Sequence, residues 1–156
     1  MKQTALLLVT FLGLHTALIA QESKRQQGFN VNSRNLPIKG YDPVAYFTQG
    51  KAAEGKATPS AMHEGITYYF SSQENKEKFS AQPAMFEPQY GGWCAYAMGA
   101  TGEKVTVDPE TFKILNGKLF LFYNKFFNNT LKSWNKDEKA LNTKADANWS
   151  KSHNRS

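Results

Sequence analysis

The stretch Glu87–Gly99, EPQYGGWCAYAMG, carries the only cysteine of the 156-residue chain, Cys94, behind two glycines and among large aromatic residues. A cysteine so placed is either a reactive or metal-binding thiolate or a small apolar residue on a core face. Gly91-Gly92 allows the backbone to approach a neighbour closely or to take positive φ. Met98 follows Cys94 by four residues, so the two share a face in either a helix or a strand, and they form the one soft donor pair that spacing supports. Tyr90, Trp93 and Tyr96, with the aromatic residues of a hairpin downstream, outline a pocket suited to a small apolar or planar molecule. The same rings at alternate spacing also describe an ordinary core.

Working outward, TFKILNGKLFLFYN (residues 111–124) predicts a β-hairpin about Asn116-Gly117, the preferred type I′ pair. Upstream, AMHEGITYYF predicts another, with strands at 60–63 and 66–70 and a turn at Glu64-Gly65. Ser71 with Glu74 makes a capping box that opens a helix to about Ala81, Glu74 and Lys78 form an i,i+4 pair, and Pro83 is the stop. Asp42-Pro43 supplies the cap and first turn of a short helix to about Thr48, which turns Val44, Tyr46 and Phe47 inward and ends at Gly50. Helical segments at about 125–134 and 137–148 close the chain. No internal repeat is apparent. The pattern predicts one small α+β domain in which β-hairpins pack against short helices.

The ends read differently. MKQTALLLVTFLGLHTALIAQ has the form of a secretory signal over residues 1–20, with Lys2, an apolar run from Ala5 to Ile19, and Ala20 before a cut at Gln21. It falls short of the roughly 20 apolar residues that span a bilayer. The mature protein is therefore expected to be secreted or periplasmic, with no stable membrane anchor after cleavage. Residues 21–35, QESKRQQGFNVNSRN, are polar and non-periodic and predict a flexible leader; 150–156 predict a disordered tail, leaving 36–149 as the domain. One cysteine closes no intramolecular bridge, and roughly 135 residues bury a core without one. The net charge of +6 is spread over mixed-sign runs such as KEK and KDEK, which describes a solvated surface and no nucleic-acid partner.

The chain has no Walker loop, GxGxxG, GxSxG, HExxH or CxxC. Once residues 1–20 are removed, His63 and His153 are the remaining histidines, so a Cys–His nucleophilic pair would be Cys94 with His63. The sequence thus leans away from an enzyme. Cys94, Met98 and His63 are the candidate metal ligands, a donor set suited to a soft or borderline ion, copper first and zinc second. Nothing beside Cys94 along the chain favours a thiolate, the closest basic residue being Lys104.

Five segments in order, GYDPVAYF (40–47), YYFSSQENKEKFSAQP (68–83), PQYGGWCAYAMG (88–99), DPETFKILNGKLFLFYN (108–124) and ADANW (145–149), resemble the exported, single-cysteine branch of YHS-domain proteins over about 36–149. The resemblance implies a small metal-associated module, a β-hairpin followed by a helix, related to TRASH-type domains and found beside heavy-metal pumps and metal-handling enzymes. In those relatives paired cysteines or other soft side chains hold the ion. Cys94 takes the position of the family's cysteine; the second cysteine has no counterpart, and His63 is a candidate by its chemistry alone. Tyr41, Asp42, Pro43, Gly91, Gly92, Cys94 and Tyr96 match the branch's pattern, and Trp93 stands where tyrosine is common. The implied function is non-enzymatic metal binding or handling. The alternative is a module that binds a small molecule or a protein through a pocket at Tyr41, Asp42, Tyr90, Gly91, Gly92, Trp93 and Tyr96.

Overall fold

Two hairpins frame the protein. The structure, a computed structural model, describes residues 21, 22 and 24–154; the expected secretory signal lies outside the described residues. Strand β1 (Lys56–His63) pairs antiparallel with β2 (Ile66–Phe70), and β3 (Asp108–Leu115) with β4 (Lys118–Phe122). Each two-residue turn has both φ angles positive, Glu64 46° and Gly65 80°, Asn116 51° and Gly117 72°. That is the type I′ geometry whose twist matches the strands it joins. Past Lys118, β4 is buried on both faces. Leu119 and Leu121 enter one cluster with Ile38, Tyr46 and Cys94, while Phe120 and Phe122 enter another with Tyr90, Met98 and Trp134, as the period of two requires. A third cluster gathers Val44, Ile66, Tyr68, Phe70, Phe79 and Phe86 with Phe29.

Short helices cover these hairpins: α1 (Ala45–Thr48), α2 (Gln73–Ala81), α3 (Pro83–Phe86), α4 (Ala95–Ala100), α5 (Thr130–Trp134) and α6 (Glu138–Asn154). The result is a small α+β domain. The cap of α2 is Ser72, whose hydroxyl accepts from the Asn75 N–H at 3.1 Å, one residue later than the capping-box reading. Glu74 and Lys78 pair at 2.7 Å as expected. The helix expected from about 125 starts only at Thr130, because Asn129 caps it by accepting from Leu131 N–H at 3.1 Å. Residues ahead of it form a small hairpin, β5 (Asn124–Lys125) with β6 (Asn128–Asn129). No helix among the described residues is long and apolar enough to cross a membrane.

Both expectations for the chain ends need correction. Residues 24–28 are helical, and Phe29 is only 8% exposed within the core. Arg25 lies over the Phe29 ring and pairs with Glu87 and Glu64. The Asn30 side chain donates to Gly92 O at 3.0 Å and the Trp93 indole N–H to Gly28 O at 2.8 Å. The polar composition of 21–35 hid two apolar contacts, Phe29 in the core and Val31 packed against it, and a set of hydrogen bonds. At the other end, α6 continues through 150–154, past the predicted start of a tail.

The two halves of the chain trace the same path, which the sequence did not reveal. The β1–β2 register (Lys56↔Phe70, Ser60↔Tyr69, His63↔Ile66) recurs in β3–β4 as Asp108↔Phe122, Phe112↔Leu121, Leu115↔Lys118, every number 52 higher, with the irregularity at the same place. Ahead of each hairpin three consecutive residues take positive φ: Ile38, Lys39 and Gly40 at 52°, 56° and 91°, and Tyr90, Gly91 and Gly92 at 55°, 60° and 81°. Tyr41 N–H donates to Ile38 O and Trp93 N–H to Tyr90 O, both at 3.1 Å. Asp42 N–H donates to Ala53 O at 2.8 Å and Cys94 N–H to Val105 O at 2.9 Å. Three positive-φ glycines, Gly40, Gly50 and Gly65, reappear as Gly92, Gly102 and Gly117. The protein is a structural tandem whose halves differ at most core positions.

Candidate functional site

Cys94 and Asp42 occupy equivalent places, and both are fully buried. Asp42 Oδ1 accepts from Val44 N–H at 2.9 Å and Ala45 N–H at 3.4 Å. Its Oδ2 accepts from Ser71 N–H (2.8 Å), the Ser71 hydroxyl (2.6 Å) and the Asn75 amide (2.7 Å). At the matching point of the second half, Tyr123 N–H donates to Cys94 Sγ at 3.4 Å. Thr130 Oγ1 lies 3.4 Å from the sulfur and spends its own proton on Tyr123 O at 2.9 Å. The remaining contact is then satisfied by the Cys94 S–H donating to Thr130. A neutral thiol completes this network, whereas a thiolate would face an oxygen lone pair.

The expected soft donors do not converge. Cys94 belongs to the cluster of Tyr46 and Leu121, while Met98 belongs to that of Tyr90 and Trp134. His63 ends β1, stacks edge-on to Phe79 with centroids 6.2 Å apart and sits beside Glu64. Among the described residues no group of three or more His, Cys, Asp or Glu side chains is arranged to hold a metal ion. With its sulfur committed to Tyr123 and Thr130, Cys94 does not fit a ligand role in this conformation.

The expected pocket residues separate as well. Asp42 is enclosed by its donors, and Tyr41 lines a different cleft with Glu54, Gly55 and Tyr69. Tyr96 lines a shallow depression of about 300 Å³ with Val105, Tyr123 and Thr130, at whose floor Cys94 lies. Trp93 is bound to Gly28 O, with the Lys104 ammonium 5.9 Å from its ring centroid. Gly92 O receives Asn30. Gly91 has a packing reason: a Cβ there would stand 3.0 Å from Trp149 Cη2 and 3.2 Å from Phe29 Cα. The glycine pair therefore admits the N-terminal segment and α6.

Tyr90 and Gly91 do border an open cleft of about 410 Å³, where the N-terminal segment, the glycine turn and α6 meet. Its lining includes Trp149, the edges of the buried Phe29 and Tyr90, the Arg25–Glu87 pair, and the exposed Lys118 and Asp146. The Tyr90 oxygen is 2.9 Å from both Asn142 Oδ1 and Asp146 Oδ1. Burial, and then the bond to Asp146, push this phenol far above its ordinary value, so it stays a donor. Sequence reasoning found Tyr90 and Gly91 but missed Phe29, Lys118, Asp146 and Trp149. Only the Asp146–Trp149 spacing, one helical turn, hinted that the last two share a face.

No family model, curated protein or solved structure matches the chain. The likeness to YHS-domain proteins rests on the segments quoted above.

Proposed function

We propose that the protein is a binding module whose ligand site is the Tyr90–Trp149 cleft, taking a small planar molecule with polar groups at its edge. The observation that carries this is one opening lined by the Trp149 ring and by the edges of the buried Phe29 and Tyr90, together with side chains of both charges, Lys118 and Asp146. Rings bind a planar face, and a few placed polar groups fix its orientation. The reading requires no reaction at Cys94. Titration with a panel of aromatic carboxylates, benzoate and indole-3-acetate among them, followed by amide shifts in NMR, tests it. Shifts confined to residues 87–91, 118 and 146–150, and weakened in Lys118→Glu, support the site. Shifts elsewhere, or none with any member of the panel, sink it. Metal handling, which the family resemblance implies, is distinguished by elemental analysis of the purified protein: stoichiometric copper or zinc lost in Cys94→Ser would replace this reading.

A further inference from the structure

The second half of the tandem carries an insertion that the first lacks. In the first half the helix cap, Ser72, comes two residues after the last strand residue, Phe70. In the second the cap, Asn129, comes seven residues after Phe122. The five extra residues, with the cap Asn129, make the six-residue β5–β6 hairpin, whose turn residues are Phe126 and Phe127. Both have positive φ, 51° and 62°, at positions that Asn and Gly fill most readily. The two residues are 88% and 111% exposed, the most exposed large hydrophobic residues among those described. Since the first half joins strand to helix without this hairpin, the fold does not require it. Two adjacent rings are thus exposed on a disfavoured backbone that no packing within the fold explains.

The surroundings indicate what these rings would contact. Residues 124–136, NKFFNNTLKSWNK, contain Lys125, Lys132 and Lys136 and no acidic residue, and all three lysines are exposed; from elsewhere in the chain, Glu103 shares a depression with Asn128 and Thr130 of this segment. We propose that the Phe126–Phe127 tip docks on an anionic phospholipid surface, with the rings entering the interfacial layer and Lys125 and Lys132 facing the headgroups. Aromatic rings are favoured at that depth, and basic residues add attraction to anionic lipid. A two-residue projection covers far less area than a stable protein interface needs, whereas a bilayer yields around it. Apolar and basic contributions, each weak, combine into reversible attachment.

Co-sedimentation of the full chain with vesicles tests this, wild type and variants starting at the same residue. Phosphatidylcholine vesicles containing phosphatidylserine should bind the protein more than phosphatidylcholine alone, and added salt should weaken binding. The double variant Phe126→Asn/Phe127→Gly installs the favoured type I′ pair, so it keeps the fold while lowering binding on the order of tenfold or more. Lys125→Glu should weaken attachment to the serine-containing vesicles. Equal binding by wild type and the double variant overturns the proposal, as does wild type that binds neither vesicle. So does self-association of wild type, abolished in the double variant, without vesicle binding; the tip would then join copies of the chain.

Discussion

At Asp42 five donors converge on one buried carboxylate, and at Cys94 two contacts meet one buried sulfur, in the same place of each half. The shared demand is an acceptor for the backbone N–H that follows the hairpin, Ser71 or Tyr123. Asp42→Ala leaves several buried donors unpaired and should cost about 3 kcal/mol or more. Asp42→Asn should fare little better, because an amide nitrogen at either oxygen's place meets only donors. A denaturant midpoint unchanged in Asp42→Asn would show that these contacts do not persist in solution. Cys94→Ala removes the acceptor for Tyr123 N–H and should cost about 1–2 kcal/mol. A buried neutral thiol reacts only when the structure opens, so labelling of native Cys94 should be slow and should quicken as denaturant lowers stability. Fast labelling without denaturant would place a reactive sulfur at the surface.

Among the elements, hairpins were easiest to read and helix starts hardest. Asn116-Gly117 and Glu64-Gly65 announce their turns through glycine and flanking apolar residues, and the strands follow. The stretch from Lys125 resembles a helix because lysine, asparagine and leucine alternate with aromatic residues. Nothing local shows that Phe126 and Phe127 sit at positive φ. Ser71 and Ser72 are chemically interchangeable as caps, and only the distant Asp42 assigns Ser71 elsewhere. The tandem escaped notice because equivalent positions hold unlike residues, Asp42 against Cys94 or Tyr46 against Met98; the recurring glycines were its one readable trace. Gly99 carries a constraint that no local pattern shows. A Cβ on Gly99 would stand 2.5 Å from Leu141 O, where α4 crosses the backbone of α6. Alanine gains about 1 kcal/mol of helix propensity, but separating two packed backbones costs about 1–3 kcal/mol. Crowding against backbone should win, and Gly99→Ala should melt earlier than wild type; a higher melting temperature would mean that the crossing is looser than it stands here.

For the molecule as a whole, the N-terminal segment decides how much chain the fold needs. It lies across the junction of the two halves: Phe29 enters the cluster of the first hairpin, while Asn30 and Gly28 bind the Gly92–Trp93 turn of the second. A composition-based reading misses this, since Phe29 and Val31 among polar residues set no periodicity, and hydrogen bonds to a turn more than 60 residues away leave no local signal. A chain starting at Leu36 would lose the Phe29 ring, the Arg25 partner of Glu87 and the acceptor of the Trp93 indole N–H. Removing a buried Phe side chain alone costs about 3–5 kcal/mol, a large part of the 5–15 kcal/mol or so that holds a typical domain together. The Arg25–Glu87 pair is mostly buried, so its removal adds to the loss of the ring. The truncated chain is therefore expected to unfold at clearly lower denaturant than one starting at Gln21, and Phe29→Ala in the longer chain should reproduce much of the loss. Equal midpoints for the two lengths would return residues 21–35 to the role of a dispensable leader. A truncation that destabilises without any effect of Phe29→Ala would shift the credit to Arg25 and the hydrogen bonds at Gly28 and Asn30.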